Sequence, residues 1–198
     1  MRRQFILATA VLCLVAPGLL HAAPWEFDPA HTGVHFKVRH LMISSVRGEF
    51  EKVSGKIVYD EADVTKSTAD IVIDTASINT RVAKRDEHLR SPDFLDVANH
   101  PAITFKSKRV DKAGNGTLKM TGDLMVRGVT KEVVLTVEGP TPAIKDPGGN
   151  LRVGGQATTK INRKDFGLLW NKALETGGVV VGDDVEITID VEIFRKPG

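Results

Sequence analysis

The segment Val185-Glu186-Ile187-Thr188-Ile189-Asp190-Val191-Glu192-Ile193 decides the fold. Aliphatic and polar residues alternate without a break. A strand puts successive side chains on opposite faces, so one face here is dry and the other wet. Val34-His35-Phe36-Lys37-Val38-Arg39 repeats the pattern, as do Leu118-Lys119-Met120, Leu124-Met125-Val126 and Val133-Val134-Leu135-Thr136-Val137. Weaker versions lie near 46–50, 55–60, 69–75, 102–109 and 156–163. Turn chemistry separates them: Gly114-Asn115-Gly116 suits a tight hairpin, and Asp146-Pro147-Gly148-Gly149-Asn150 a longer loop. About eight antiparallel strands with one wet face need an architecture that hides their edges. A sandwich or a barrel would serve, and strands near ten residues long favour a closed up-and-down barrel.

Between two of these strands, Thr80 to His100 carries helix signals instead. Asn79 or Thr80 can cap a short helix running through Leu89, and Ser91-Pro92 resembles a second cap with a first-turn proline. Val82, Arg85, Asp86 and Leu89 have spacing i, i+3, i+4, i+7 and share one face, while Arg81, Lys84 and His88 lie on another side.

Of the 198 residues, 41% are apolar and 26% charged, an ordinary globular balance. Lys and Arg number 27 against 25 acidic residues. Arg2 and Arg3 account for the excess, and both belong to a segment that reads as a secretory leader: two cations, an apolar run from Phe5 to Val15, a break at Pro17-Gly18 and small residues at Ala22-Ala23. Cleavage is expected after Ala22, leaving residues 23–198 as one domain in the periplasm or outside the cell, with no membrane span. Charge balance gives no reason to expect nucleic acid as a partner. Cys13, the only cysteine, lies in the leader, so disulfides, thiolate chemistry and cysteine metal sites are excluded from the exported chain. No metal or other cofactor is expected: His35 and His40 differ in strand parity, and no HExxH, phosphate loop, dinucleotide fingerprint or G-x-S-x-G is present.

A series of short motifs runs along the chain: Phe36-x-Val38-Arg39-His40-Leu41, Val46-x-Gly48-x-Phe50, Arg85-Asp86-x-His88-Leu89-x-Ser91-x-Asp93-Phe94, Pro101-x-Ile103-x-Phe105-x-Ser107, Gly122-x-Leu124, Gly128-Val129-Thr130-Lys131 and Asp165-Phe166-Gly167. In order and content it resembles the YceI-like family of secreted bacterial proteins, from about Asp28 to Ile193. The resemblance implies an all-β, extended lipocalin-like antiparallel barrel that binds polyisoprenoids or other long-chain amphiphiles, without established enzymatic activity. Thr32 and the bulky Leu168-Leu169-Trp170 depart from the expected pattern, the latter in a way that would reshape a cavity.

Parity then supplies a candidate binding wall. If Val34, Phe36 and Val38 face inward, so do Ile103 and Phe105, Leu118, Met120, Leu124 and Val126, Leu135, and Ile187, Ile189 and Val191. His40 and Ser107 share inward parity near strand ends and are candidates for a head group. Arg85 and Asp86 have two readings: contact with an anionic or carbonyl head group at one mouth, or a structural clamp in which each satisfies the other or nearby carbonyls. An apolar body with sparse polar groups is the make-up of a small-molecule pocket, and ten buried methylenes contribute on the order of 8 kcal/mol before ordering costs. The expected ligand is an isoprenoid quinone, a prenyl phosphate or a similar amphiphile. A packed barrel needs the same aliphatic face, so the expectation turns on whether Val34, Phe36, Leu124 and Ile189 surround open space. The alternatives are a lipid-modifying enzyme using His40 or Asp86 as acid or base, and a filled barrel acting as an envelope interaction module.

Overall fold

The computed structural model describes residues 24–175 and 177–197; the proposed leader and Cys13 lie outside them. Twelve strands and one α-helix follow in chain order: β1 (Glu26–Phe27), β2 (Gly33–His40), β3 (Ser44–Phe50), β4 (Val53–Val58), β5 (Thr68–Asp74), β6 (Ile78–Asn79), α1 (Ala83–Arg90), β7 (Ala102–Gly114), β8 (Thr117–Val126), β9 (Val129–Glu138), β10 (Ile144–Lys145), β11 (Leu151–Asn162) and β12 (Val181–Arg195). The decisive segment forms the middle of β12, the longest strand.

All named pairings are antiparallel. The main ladder runs β4-β5-β7-β8-β9-β11-β12-β2-β3-β6. Its two ends are contiguous. β3 and β4 are one run interrupted at Glu51-Lys52, and β5 and β6 are one run interrupted by a 3-10 turn at Thr75–Ser77. Across the double kink the backbone stays bonded, Glu51 N to Ser77 O at 3.1 Å and Asp74 N to Lys52 O at 3.0 Å. Counting each interrupted run once, the sheet curls into an eight-stranded up-and-down barrel, with its seam at the short β9–β11 pairing.

Two details shape the interior. Asn115-Gly116 turns between the paired Gly114 and Thr117 with positive φ at both residues, as a two-residue hairpin of this hand requires. β9 and β11 pair over only Glu138–Thr136 against Gln156–Thr158. Beyond that the strands part, and the turn Arg163–Phe166 fills the opening with Phe166, which is 2% exposed.

The helical insert is shorter than the sequence suggests. α1 begins at Ala83, with Val82 as N-cap and no side-chain cap. Thr80 does not cap it: its amide and hydroxyl donate to Asp86, and its hydroxyl oxygen accepts from Arg85 Nε instead of a helix amide. Ser91-Pro92 starts no helix: the Ser91 hydroxyl donates back to the His88 carbonyl at 2.8 Å and terminates α1. Among the described residues no helix is long and apolar enough to cross a membrane.

Candidate functional site

The barrel is hollow. A cavity of about 330 Å³ runs through its middle, at the small end of the range for ligand sites, and its wall is almost wholly carbon. All thirteen residues that parity placed inward line it: Val34, Phe36 and Val38; Ile103 and Phe105; Leu118, Met120, Leu124 and Val126; Leu135; Ile187, Ile189 and Val191. Met125, of opposite parity, does not.

Glycines explain why large wall residues leave room. Gly48 is the cross-strand partner of Phe36, and a Cβ there would lie 2.4 Å from the Phe36 ring. A Cβ on Gly122 would lie 2.5 Å from the Phe105 ring. Each ring therefore folds down over a glycine instead of projecting into the lumen, a device that fills the gap in the sheet at the same time.

One end of the tunnel is built by the insert and the turn beside it. Leu89 from α1, Phe94 and Leu95 from the segment after it, and Phe166 and Leu168 from the β11–β12 connection form its floor. His88, Phe94 and Trp170 back this floor as an aromatic trio, with ring centroids 4.9–5.2 Å apart. Arg163 also reaches the cavity, 4% exposed. Burial pushes its guanidinium below its usual pKa, while the Asp183 charge opposes that shift. Its donors go to Gly182 O at 2.9 Å, Trp170 O at 3.0 Å, Leu168 O, and Asp183 at 3.4 Å. So engaged, Arg163 ties the connection to the barrel.

The other end lies by β1 and the last residues of β12. Phe27, Tyr59, Val64 and Pro140 line it. Trp25 packs edge-on against Tyr59 at 5.5 Å and donates to Glu61 at 3.2 Å, with Arg195 4.8 Å over its ring. Burial, then the Glu61 charge, raises the Tyr59 phenol above its usual pKa. Behind this end, Arg152 bonds Asp28 and Asp146, each at 2.7 Å, and Glu192. It holds Asp28 and Asp146 down to about 2. Asp28, His31 and Glu192 bring potential metal-ligand atoms within 4.8 Å of one another. Two of the three, Asp28 and Glu192, are already hydrogen-bonded by Arg152, so the group stands in this structure as part of an ion-pair knot.

The four head-group candidates are not brought to the cavity wall. His40 ends β2 opposite Ser44 and Val181, outside the lining. The Ser107 hydroxyl accepts the Ala69 amide at 2.8 Å, next to a bulge between Ser107 and Arg109. That bulge resets the parity of β7, so Val110 lines the cavity instead. Asp86 accepts the Thr80 amide at 2.9 Å and the Thr80 hydroxyl; Arg85 donates to Thr80 Oγ1 at 2.7 Å and Thr80 O at 2.8 Å. Arg85 and Asp86 thus clamp the β6–α1 junction. Val82, expected as an apolar anchor, is exposed. Sequence reasoning missed the end residues Tyr59, Leu89, Phe94, Leu95, Arg163, Phe166 and Leu168 as lining, because most of them sit in segments without strand parity. Only the flanking glycines and the bulky run after Gly167 signal them.

A family model described as a YceI-like domain matches residues 25–193. A UPF0312 protein of Vibrio cholerae is 37% identical over 169 residues, 84% of this chain and 89% of the relative. One of Ectopseudomonas mendocina is 41% identical over 181 residues, covering 90% and 91%. The crystal structure of the Campylobacter jejuni YCEI protein matches with TM-score 0.69 at 36% identity, over 86% of this chain and 96% of that one. A polyisoprenoid binding domain from Saccharophagus degradans shares the fold, with TM-score 0.61, 17% identity and coverage of 88% and 99%.

Proposed function

The chain belongs to the YceI-like family, and from that premise we propose that it is an exported carrier of a polyisoprenoid or similar long-chain amphiphile, such as an isoprenoid quinone or prenyl phosphate, held in the barrel. The cavity carries the reading: an apolar space with no hydrogen-bonding wall selects an alkyl or prenyl chain, and its filling by about ten methylene-sized groups contributes on the order of 8 kcal/mol. The solved neighbour described as a polyisoprenoid binding domain is a case of the same fold put to this use. Export after cleavage behind Ala22 places a cysteine-free carrier, residues 23–198, in the periplasm or outside the cell. A binding role fits the cavity better than catalysis. The only charged side chain on its floor, Arg163, is engaged by carbonyls and Asp183, and neither His40 nor Asp86 faces the lumen.

The test is native mass spectrometry of protein purified from its own cells, followed by organic extraction, and of stripped protein offered prenyl phosphate or quinone in detergent. A bound amphiphile of defined mass is expected. Protein that carries none and takes up none refutes the reading.

A further inference from the structure

Four exposed aliphatic side chains gather at the α1 end of the barrel. Ile43 is 81% exposed, Leu169 65%, Met42 48% and Val82 47%. They come from the β2–β3 turn, from the residue before α1 and from the β11–β12 connection. Several contacts hold these segments together. The Leu41 amide donates to Val180 O at 2.8 Å. Met42 lies beside Gly178, 3.7 Å from where a Cβ would be. Arg163 grips the carbonyls of Leu168 and Trp170, and Leu169 between them points to solvent.

The turn has a conformational peculiarity. Leu41 and Met42 both have left-handed φ, 49° and 62°. That region disfavours bulky residues, and glycine or asparagine would hold the same turn at lower cost. Here the sequence keeps Leu-Met-Ile at the tip.

Cations surround the patch. Arg39, Arg81, Lys84 and Lys172 are exposed. Arg39 donates to Met42 O at 3.0 Å. Two of the carboxylates nearby are engaged elsewhere: Asp183 with Arg163 and Lys164, Asp93 with His88. Among the described residues the four cations have no ion-pair partner. Exposed Glu87, Asp165 and Glu175 offset part of this charge, so apolar insertion leads and electrostatics assists.

We infer that the α1 end is a membrane-docking face: Met42, Ile43, Val82 and Leu169 enter the interface of a bilayer, and Arg39, Arg81, Lys84 and Lys172 lie against its anionic head groups. Scattered aliphatic tips ringed by basic residues match the chemistry of such a surface. The inference rests on the carrier reading only for its purpose. Leu89, Phe94 and Leu95 form the tunnel floor directly beneath this face, so a docked barrel could exchange a prenyl chain with lipid without drawing it through water.

Flotation of the purified protein with vesicles of equal phosphatidylglycerol and phosphatidylethanolamine tests docking without any cargo. Binding is expected, weakened by salt. The double variant I43D/L169D should bind about a hundredfold or more weakly, and R81E/K84E about tenfold or more weakly. I144D, at the exposed Ile144 near the opposite end, should bind as wild type does. Matching thermal melts establish that each variant is folded. Wild-type protein that stays with the aqueous phase, or I43D/L169D binding as tightly as wild type, overturns the inference. Uptake of prenyl phosphate from detergent separates the two readings. Lost docking with intact uptake removes only this inference, and intact docking without uptake removes only the carrier.

Discussion

Phe36 and Gly48 form a unit in which a residue without a side chain determines where a large one goes. The nearest atoms to a Cβ at Gly48 are side-chain atoms of Phe36 and Thr80. Gly48→Ala should therefore tip the ring into the lumen, lower stability by about 1–3 kcal/mol and weaken amphiphile uptake. Adding Phe36→Leu should restore much of the melting temperature, which a thermal melt of both variants would show. Arg152 governs a different property. It holds Asp28 at about 2, below the ordinary 3.8, so Asp28 binds its proton less readily folded than unfolded. Its contribution is complete above about pH 4 and is lost as pH falls toward 2. Asp146, held down by the same guanidinium, adds to the loss in the same window. Melting temperature followed from pH 6 to pH 2 should drop more steeply for wild type than for Arg152→Met, whose curve starts lower and runs flatter. Equal slopes would show that the knot does not couple to folding.

Elements differ in how much of them the sequence discloses. Strands β2, β7, β8 and β12 are legible because alternation is a local property, and one dry face demands it. Parity places Val34, Phe36, Leu124 and Ile189 on the lumen without coordinates. It fails beyond Ser107, where a bulge inserts Lys108, a residue that no pattern announces. It says nothing of Leu89, Phe94 or Phe166, whose positions depend on how loops fold over the barrel end. Arg85 and Asp86 show the same limit: helical spacing gives them a shared face, but only the backbone path at Thr80 tells that the pair closes a junction. Asp86 there satisfies the Thr80 amide and hydroxyl inside the fold. Asp86→Ala leaves both donors without an acceptor and should cost about 2–3 kcal/mol. Hydrogen exchange should localise the loss, with the Thr80 amide and the first turn of α1 losing protection while β12 amides change little. Uniform loss of protection across the barrel would contradict a local clamp.

At the scale of the whole molecule, the hollow interior is a cost the chain carries when empty, since lumen-facing side chains lack partners across the gap. An amphiphile that fills the space binds only the folded state and stabilises it by mass action, about 2.7 kcal/mol at a hundredfold excess over Kd. For a chain of this size that corresponds to a rise of roughly 5–10 °C in Tm. Ala157 offers the opposite way to fill it. Ala157 lines the lumen between its two cross-strand partners, Ile189 of β12 and Val137 of β9. Ala157→Leu adds three carbons to open space. In a solid core such a change overpacks and costs about 1–3 kcal/mol. In a tunnel it substitutes for part of the ligand, so Tm without ligand should hold or rise while the ligand-induced shift shrinks. Differential scanning calorimetry of wild type and Ala157→Leu, each with and without prenyl phosphate, separates these outcomes: a variant destabilised when empty yet still fully stabilised by lipid would mean that the cavity at Ala157 is not where the chain lies.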